Sequence, residues 1–171
     1  MTVTLVAGPP CSGKTTYALA HAAAGDEVLD YDVVFAELSG LPLYEREFGH
    51  ADAVGAEFQR RLARIRQGFV IRCAPNKQHR AIIRRIHRAA SVVLAVPAEI
   101  CHARLRASDR PEQVKPGLHQ AIDAWWDEYE PSTSADETVS DGGEGQTLLA
   151  QWPAHDQAAS RVKSTFETTY S

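Results

Sequence analysis

The stretch GPPCSGKTT, Gly8 to Thr16, follows the apolar run TVTLVA and has the form Gly-x4-Gly-Lys-Thr. Residues of these types at this spacing do phosphate chemistry. Gly8 and Gly13 allow positive φ and leave room for a loop to wrap around a phosphate. Backbone N–H groups of residues 9–15, Cys11 and Ser12 among them, then point inward, reinforced by the N-terminus of the helix that follows. Lys14 neutralises the β- and γ-phosphates, the Thr15 hydroxyl ligates Mg²⁺, and Thr16 reaches the α-phosphate. The ligand this implies is ATP with Mg²⁺. Cys11 occupies an x position, where a small filler suffices.

A phosphoryl transferase also needs a group that takes the acceptor's proton and cations that follow the moving charge. In EVLDYD, Asp32 is expected to close a second strand, on the sheet edge that carries the phosphate loop. A carboxylate there can act as general base toward a hydroxyl. Asp30, two residues earlier, faces the same side of such a strand and suits a metal-bound water or a helix cap. The cation candidates lie in RLRASDRPEQ, where Arg104, Arg106 and Arg110 form an arginine-rich lid. Arginine stays charged, and its planar fork grips phosphoryl oxygens as charge redistributes.

The elements that position these residues alternate. TVTLVA is a buried-strand run, and TTYALAHAAAG is a helix stopped at Gly25. EVLDYD is the second strand, leading into a helix VVFAEL that ends near Gly40. LPLYEREFGH is loop. Val54, Phe58, Leu62 and Ile65 recur at helical spacing, with Arg60, Arg61 and Arg64 on another face. GFVIRCA is a third strand, KQHRAIIRRIHRA an arginine-studded helix, SVVLAVP a fourth strand, and AEICHARLRA a further helix. SDRPEQVKPG breaks that helix with two prolines, and LHQAIDAWWDEYE follows, with Leu118, Ile122, Trp125 and Tyr129 on one side. The β-α-β-α-β-α-β-α order demands an α/β P-loop fold, a parallel sheet of four to five strands with helices on both faces. Residues 1–131 form this domain. Residues 132–171 form an acidic tail in which STSADETVSDGGEGQ is loop or disorder and TLLAQWPAH is a short apolar piece suited to docking.

Composition bounds the function further. With 44% hydrophobic and 23% charged residues, the 171-residue chain is of ordinary globular type. No apolar run approaches a membrane span, and the first residues lack the pattern of a signal peptide. Cys11, Cys73 and Cys101 are an odd set without metal-type spacing, consistent with a reducing cytoplasm, and Cys73 and Cys101 are expected in the core. Net charge is −4, yet residues 60–115 hold fourteen Arg or Lys against three acids, and residues 131–171 six acids against Arg161 and Lys163. A guanine-reading Asn-Lys-x-Asp segment is missing, since PNKQHR lacks the Asp. The third strand ends FVIRCAP without the carboxylate of a motor ATPase. A kinase needs no more than the loop, the carboxylate and the lid.

On GPPCSGKTT, LDYDVVFAEL and VLAVPAEICHARLRASDR, residues 2 to about 131 resemble the small P-loop kinases of the phage polynucleotide-kinase type and compact AAA family ATPases of actinobacterial phages. The resemblance implies a four-stranded parallel sheet, Asp32 as general base, Lys14 and Thr15 on ATP·Mg²⁺, and Arg106 and Arg110, with Arg104, as lid residues. For a phage protein it also implies the cytoplasm of a bacterial host. Two positions depart from the family. An arginine that grips the acceptor's phosphate is replaced by Phe35, and the acidic end of the third strand is Cys73. Phe35 can stack on a base of an acceptor or pack in the core.

Three functions follow. The first is a kinase for a hydroxyl on nucleic acid, DNA rather than RNA, at a 5′-hydroxyl end or on a hydroxymethylpyrimidine base; the basic middle of the chain favours it. The second is a kinase for a nucleotide, nucleoside or other small metabolite. The third is a nucleotide-binding module without catalysis.

Overall fold

The computed structural model describes residues 2–45, 48–135 and 137–140. Its strands are β1 (Val3–Ala7), β2 (Glu27–Asp30), β3 (Gly68–Arg72), β4 (Ala90–Leu94) and β5 (Glu137–Ser140). The helices are α1 (Lys14–His21), α2 (Tyr31–Ser39), α3 (Ala51–Arg64), α4 (Lys77–His87), α5 (Ala98–Arg106) and α6 (Lys115–Glu128). The strands pair in parallel in the order β2-β3-β1-β4-β5. Parallel neighbours need crossover connections, and the helices supply them, so both faces of the sheet are covered. Strand order reverses at β1, which puts the crevice for a ligand outside its carboxyl end.

Two apolar layers hold this arrangement. On one face Val3, Leu5, Leu29 and Val70 meet Val34 and Phe35 of α2 and Val54, Phe58 and Leu62 of α3. On the other, Val6, Val28, Phe69 and Ile71 meet Ala18 of α1, Cys101 and Leu105 of α5 and Ile122 of α6. Leu5 is fully buried, so truncating it to Ala removes about 2–5 kcal/mol. β3 opens with Gly68 at φ +121°, where a Cβ would stand 2.0 Å from the Glu27 carbonyl oxygen. Any side chain there would push β2 off β3.

Several expectations are corrected. α1 ends at His21, before the alanine run is finished, with Ala22 turning into extended backbone. β2 stops at Asp30, and Asp32 lies in the first turn of α2 rather than on the strand. Pro116 does not break a helix but sits in the first turn of α6, where its missing N–H costs nothing. Cys101 is buried as expected, whereas Cys73 is exposed. Cys73 follows the last strand residue, and its carbonyl rather than its thiol is used, accepting from Trp125 Nε1 at 2.7 Å.

The segment expected to be loop contains β5. Glu137 is drawn in by Arg80, whose side chain, like its own, is 0% exposed; Arg80 Nε donates to it at 2.9 Å. Arg80 also donates to the carbonyls of Ala74, Pro75 and Glu130, and Ser91 Oγ donates to Glu137 at 3.0 Å. Burying a charge requires such a set of partners. These pairings, not the strand propensity of ETVS, fix β5 against β4. The apolar piece TLLAQWPAH lies outside the described residues. Among the described residues, no helix is long and apolar enough to cross a membrane.

Candidate active site

The phosphate loop leaves β1 and closes on α1. Gly8 at φ +153° has no room for a side chain: a Cβ would stand 2.7 Å from both the Leu94 carbonyl oxygen and Ser12 Oγ. Cys11 (φ 61°) and Gly13 (φ 93°) also take left-handed backbone. For Cys11 that conformation costs about 1–2 kcal/mol, the kind of strain the surrounding structure must hold in place. Lys14 turns its ammonium back into the loop and donates to the carbonyls of Gly8 at 3.0 Å and Pro9 at 2.6 Å. The loop therefore presents an enclosed cation in a cradle of small residues, which fits the phosphates of ATP. Thr16 sits in the first turn of α1, half-buried.

Beside the loop, the Thr15 hydroxyl donates to Asp30 Oδ2 at 2.8 Å, and the Asp32 N–H donates to Asp30 Oδ1 at 3.0 Å. Asp30 is thus the N-cap of α2 and the partner of the phosphate-loop threonine at once. It is 8% exposed. Burial, with the Asp32 charge added to it, lifts its carboxyl from the ordinary 3.8 to about 6, against the hydrogen bonds from Thr15 and Asp32 and the charge of Lys14. A hydroxyl and a carboxylate side by side are hard oxygen donors of the type Mg²⁺ prefers, with water completing its shell. Thr15 and Asp30 fit as the residues that would hold that ion, and ATP·Mg²⁺ would supply the γ-phosphoryl group. Asp32, two residues on, carries the second carboxylate of the pair, in the first turn of α2, and lies within electrostatic reach of Arg110.

The lid arginines separate. Arg104 Nη1 donates to the carbonyls of Cys11 and Ser12, each at 3.2 Å, and Arg110 Nη1 donates to Cys11 Sγ at 3.0 Å. Both grip the phosphate loop across more than ninety residues of chain. Arg106 does not join them. Two helical residues are about 200° apart around the axis, so with Arg104 on the loop Arg106 is turned away, beside Glu112, Lys115, Pro116 and His119. Phe35 is corrected as well. It is 3% exposed, packed with Leu29, Val34 and Phe58, and set edge-on to His50, so it fills the core and presents no face to a base.

Cys11 is more than filler, since burial raises its thiol against the charges of Arg110, Lys14 and Arg104, and it supports one lid arginine. In the sequence Tyr44 is a lone tyrosine in LPLYEREFGH and carries no signal. In the fold its ring lies 4.1 Å from the Arg110 guanidinium carbon. Arg72, at the carboxyl end of β3, lies over the Phe58 ring at 5.0 Å, on the α3 side of the same sheet edge.

A family model described as an AAA domain matches residues 3–131. The chain belongs to that AAA domain family. No curated protein matches it. Solved structures do, at low identity. A shikimate kinase from Bacteroides thetaiotaomicron is similar with a TM-score of 0.57 and 15% identity, over 97% of this chain and 98% of that one. A gluconokinase from Sinorhizobium meliloti gives 0.55 and 17%, over 99% and 98%. A sugar kinase from Janibacter sp. gives 0.53 and 18%, over 98% and 95%. These likenesses establish for this AAA domain protein the fold of the P-loop kinases.

Proposed function

We propose that the protein transfers the γ-phosphoryl group of ATP to a hydroxyl of a small metabolite. The observation that carries this reading is the Thr15–Asp30–Asp32 arrangement at the mouth of the phosphate loop. One carboxylate is tied to the loop's threonine, and the next stands in the first turn of α2 beside it, where a carboxylate can take the proton of an acceptor hydroxyl. Lys14 and Arg110 face the charge that develops on the transferring group.

The placement of the basic residues favours a small acceptor over a polynucleotide. Arg60 and Arg61 pair with Glu57, and Arg61 also with Glu37. Arg80 and Arg84 pair with Glu137. α4 leaves the carboxyl end of β3 and descends to the amino end of β4, which carries Arg84, Arg85 and Arg88 away from the phosphate loop. A track that starts at the far edge of the sheet does not guide a strand into the site. The similar structures are named as kinases of sugar, gluconate and shikimate, which supports the same reading.

The test is transfer from γ-labelled ATP to a panel of sugars, polyols, hydroxy acids and nucleosides, beside 5′-hydroxyl oligonucleotides and hydroxymethylpyrimidine DNA. A small acceptor should be phosphorylated at higher kcat/KM than any oligonucleotide, and neutralising Arg84, Arg85 and Arg88 should leave its KM unchanged. Preferential transfer to DNA, with KM raised in that triple variant, would overturn this in favour of a nucleic-acid kinase.

A further inference from the structure

Tyr44 takes φ +73°, a left-handed conformation that a bulky residue adopts when its surroundings over-determine it. What surrounds it is the site. Its ring stacks on the guanidinium of Arg110, 4.1 Å from ring centroid to Cζ, and it lies within electrostatic reach of Asp30 and Asp32. Arg110 is clasped from both sides: the Tyr44 ring covers its face and the Tyr44 hydroxyl hydrogen-bonds it, and its Nη1 donates to Cys11 Sγ at 3.0 Å. Its Nε is buried and has no acceptor among the described residues. A buried donor of this kind is normally paired, and an oxygen of a phosphoryl group arriving at the loop would pair it.

We propose that Tyr44 is a positioning residue for phosphoryl transfer, its ring holding Arg110 flat against the phosphate loop with Nε presented to the transferring group. An arginine side chain has several rotatable bonds and loses much freedom when it is fixed. Stacking on a ring fixes the plane of the guanidinium while leaving its in-plane N–H groups to donate elsewhere. Because Tyr44 belongs to the loop after α2 and Arg110 to the segment after α5, the same contact joins these two segments beside the phosphate loop. The inference rests on the kinase reading, which supplies the phosphoryl group.

Two measurements on the full chain test it. The Arg110 Nε–Hε resonance, assigned by its loss in Arg110→Lys, reads the clasp without any reaction. Its exchange with solvent should accelerate about tenfold or more in Tyr44→Ala and clearly less in Tyr44→Phe, which keeps the ring but loses the hydroxyl's bond to Arg110. Tyr44→Leu, which keeps a large apolar side chain but offers no π face, should behave as Tyr44→Ala does. In kinetics, kcat should fall by about tenfold or more in Tyr44→Ala with KM for ATP within about twofold, and Tyr44→Phe should restore most of it. Unchanged Arg110 exchange in Tyr44→Ala and Tyr44→Leu would overturn the proposal even if the enzyme is an active kinase. If no acceptor is phosphorylated, the kinase reading falls, and the exchange rates still decide whether Tyr44 holds Arg110.

Discussion

Thr15 donates its hydroxyl to Asp30 at 2.8 Å, and that bond ties the phosphate loop to the end of β2. A residue expected to hold the metal is thus joined to the carboxylate expected beside it. The same carboxylate caps α2 through the Asp32 N–H. Loop, strand end and helix start are thereby one unit, and each of its members has a separate chemical task.

The two aspartates should be separable by mutation. Asp32→Asn keeps size and helix start but cannot accept a proton, so phosphoryl transfer should fall by roughly 10²-fold or more while ATP affinity holds. Asp30→Asn keeps one oxygen for the cap, turns an N–H instead of an oxygen toward Thr15, and loses the charge beside the metal position, so it should lower affinity for ATP·Mg²⁺ as well as rate. Titration with a non-hydrolysable ATP analogue, with and without Mg²⁺, checks both. Loss of binding in Asp32→Asn with normal binding in Asp30→Asn would reverse the roles.

Asp30 should also make the nucleotide-free protein less stable as pH rises. Its folded carboxyl titrates near 6, against an ordinary 3.8. Between those values the folded state binds more protons than the unfolded state, so stability declines as pH climbs through that window. Above it the penalty is complete and on the order of 2–3 kcal/mol. Asp30→Asn should therefore raise Tm at pH 7 and leave it nearly unchanged at pH 4. Thermal melts at the two pH values, in the absence of nucleotide, check this.

The phosphate cradle should fail by two distinct routes. Lys14→Ala removes the charge between the Gly8 and Pro9 carbonyls, and analogue binding should weaken by about tenfold or more while Tm stays close to the parent. Gly8→Ala introduces contacts of 2.7 Å with Leu94 and Ser12, so it should lower both binding and Tm. Calorimetry of binding beside a melt of each variant separates lost charge from lost shape.

Breaking the Arg80–Glu137 pair should destabilise the sheet strongly. Both side chains are 0% exposed. Burial would raise the Glu137 carboxyl, but the hydrogen bonds from Arg80 and Ser91 and the charges of Arg80 and Arg84 hold it below the ordinary value. Glu137→Ala leaves the Arg80 charge buried and should cost about 3–5 kcal/mol, read by urea unfolding. Replacing both by apolar residues, Arg80→Met with Glu137→Leu, should cost less than the single change. Because the Glu137 carboxyl is held low, the stability it provides is present at neutral pH and is lost as pH falls through its folded value.

The local elements were legible because their causes are local. A Gly-x4-Gly-Lys-Thr run between an apolar strand and a helix is a loop whose backbone must curl, and the Val54, Phe58, Leu62 spacing has one buried face. Alternation of strands and helices leaves few topologies other than a parallel sheet. The order β2-β3-β1-β4-β5 put the loop, Asp30 and the arginine segment at one edge, as the sequence implied.

Other features depended on partners far along the chain. The Asp32 N–H is captured by Asp30, which ends β2 two residues early. Glu137 makes a strand of a polar, acidic segment because Arg80, 57 residues away, needs a buried counter-charge. Arg104 and Arg106 are equal in sequence, but the helical turn between them sends one to the phosphate loop and the other away. Phe35 was equally suited to stacking or packing, and the apolar layer between α2 and α3 took it. The sequence by itself determined the phosphate loop, the carboxylate pair and the sheet that carries them, because each follows from neighbouring residue types. Tertiary structure decided which arginines reach the loop, and it brought Tyr44 and Arg110 into contact, because a pairing across sixty or more residues is set by packing rather than by local pattern.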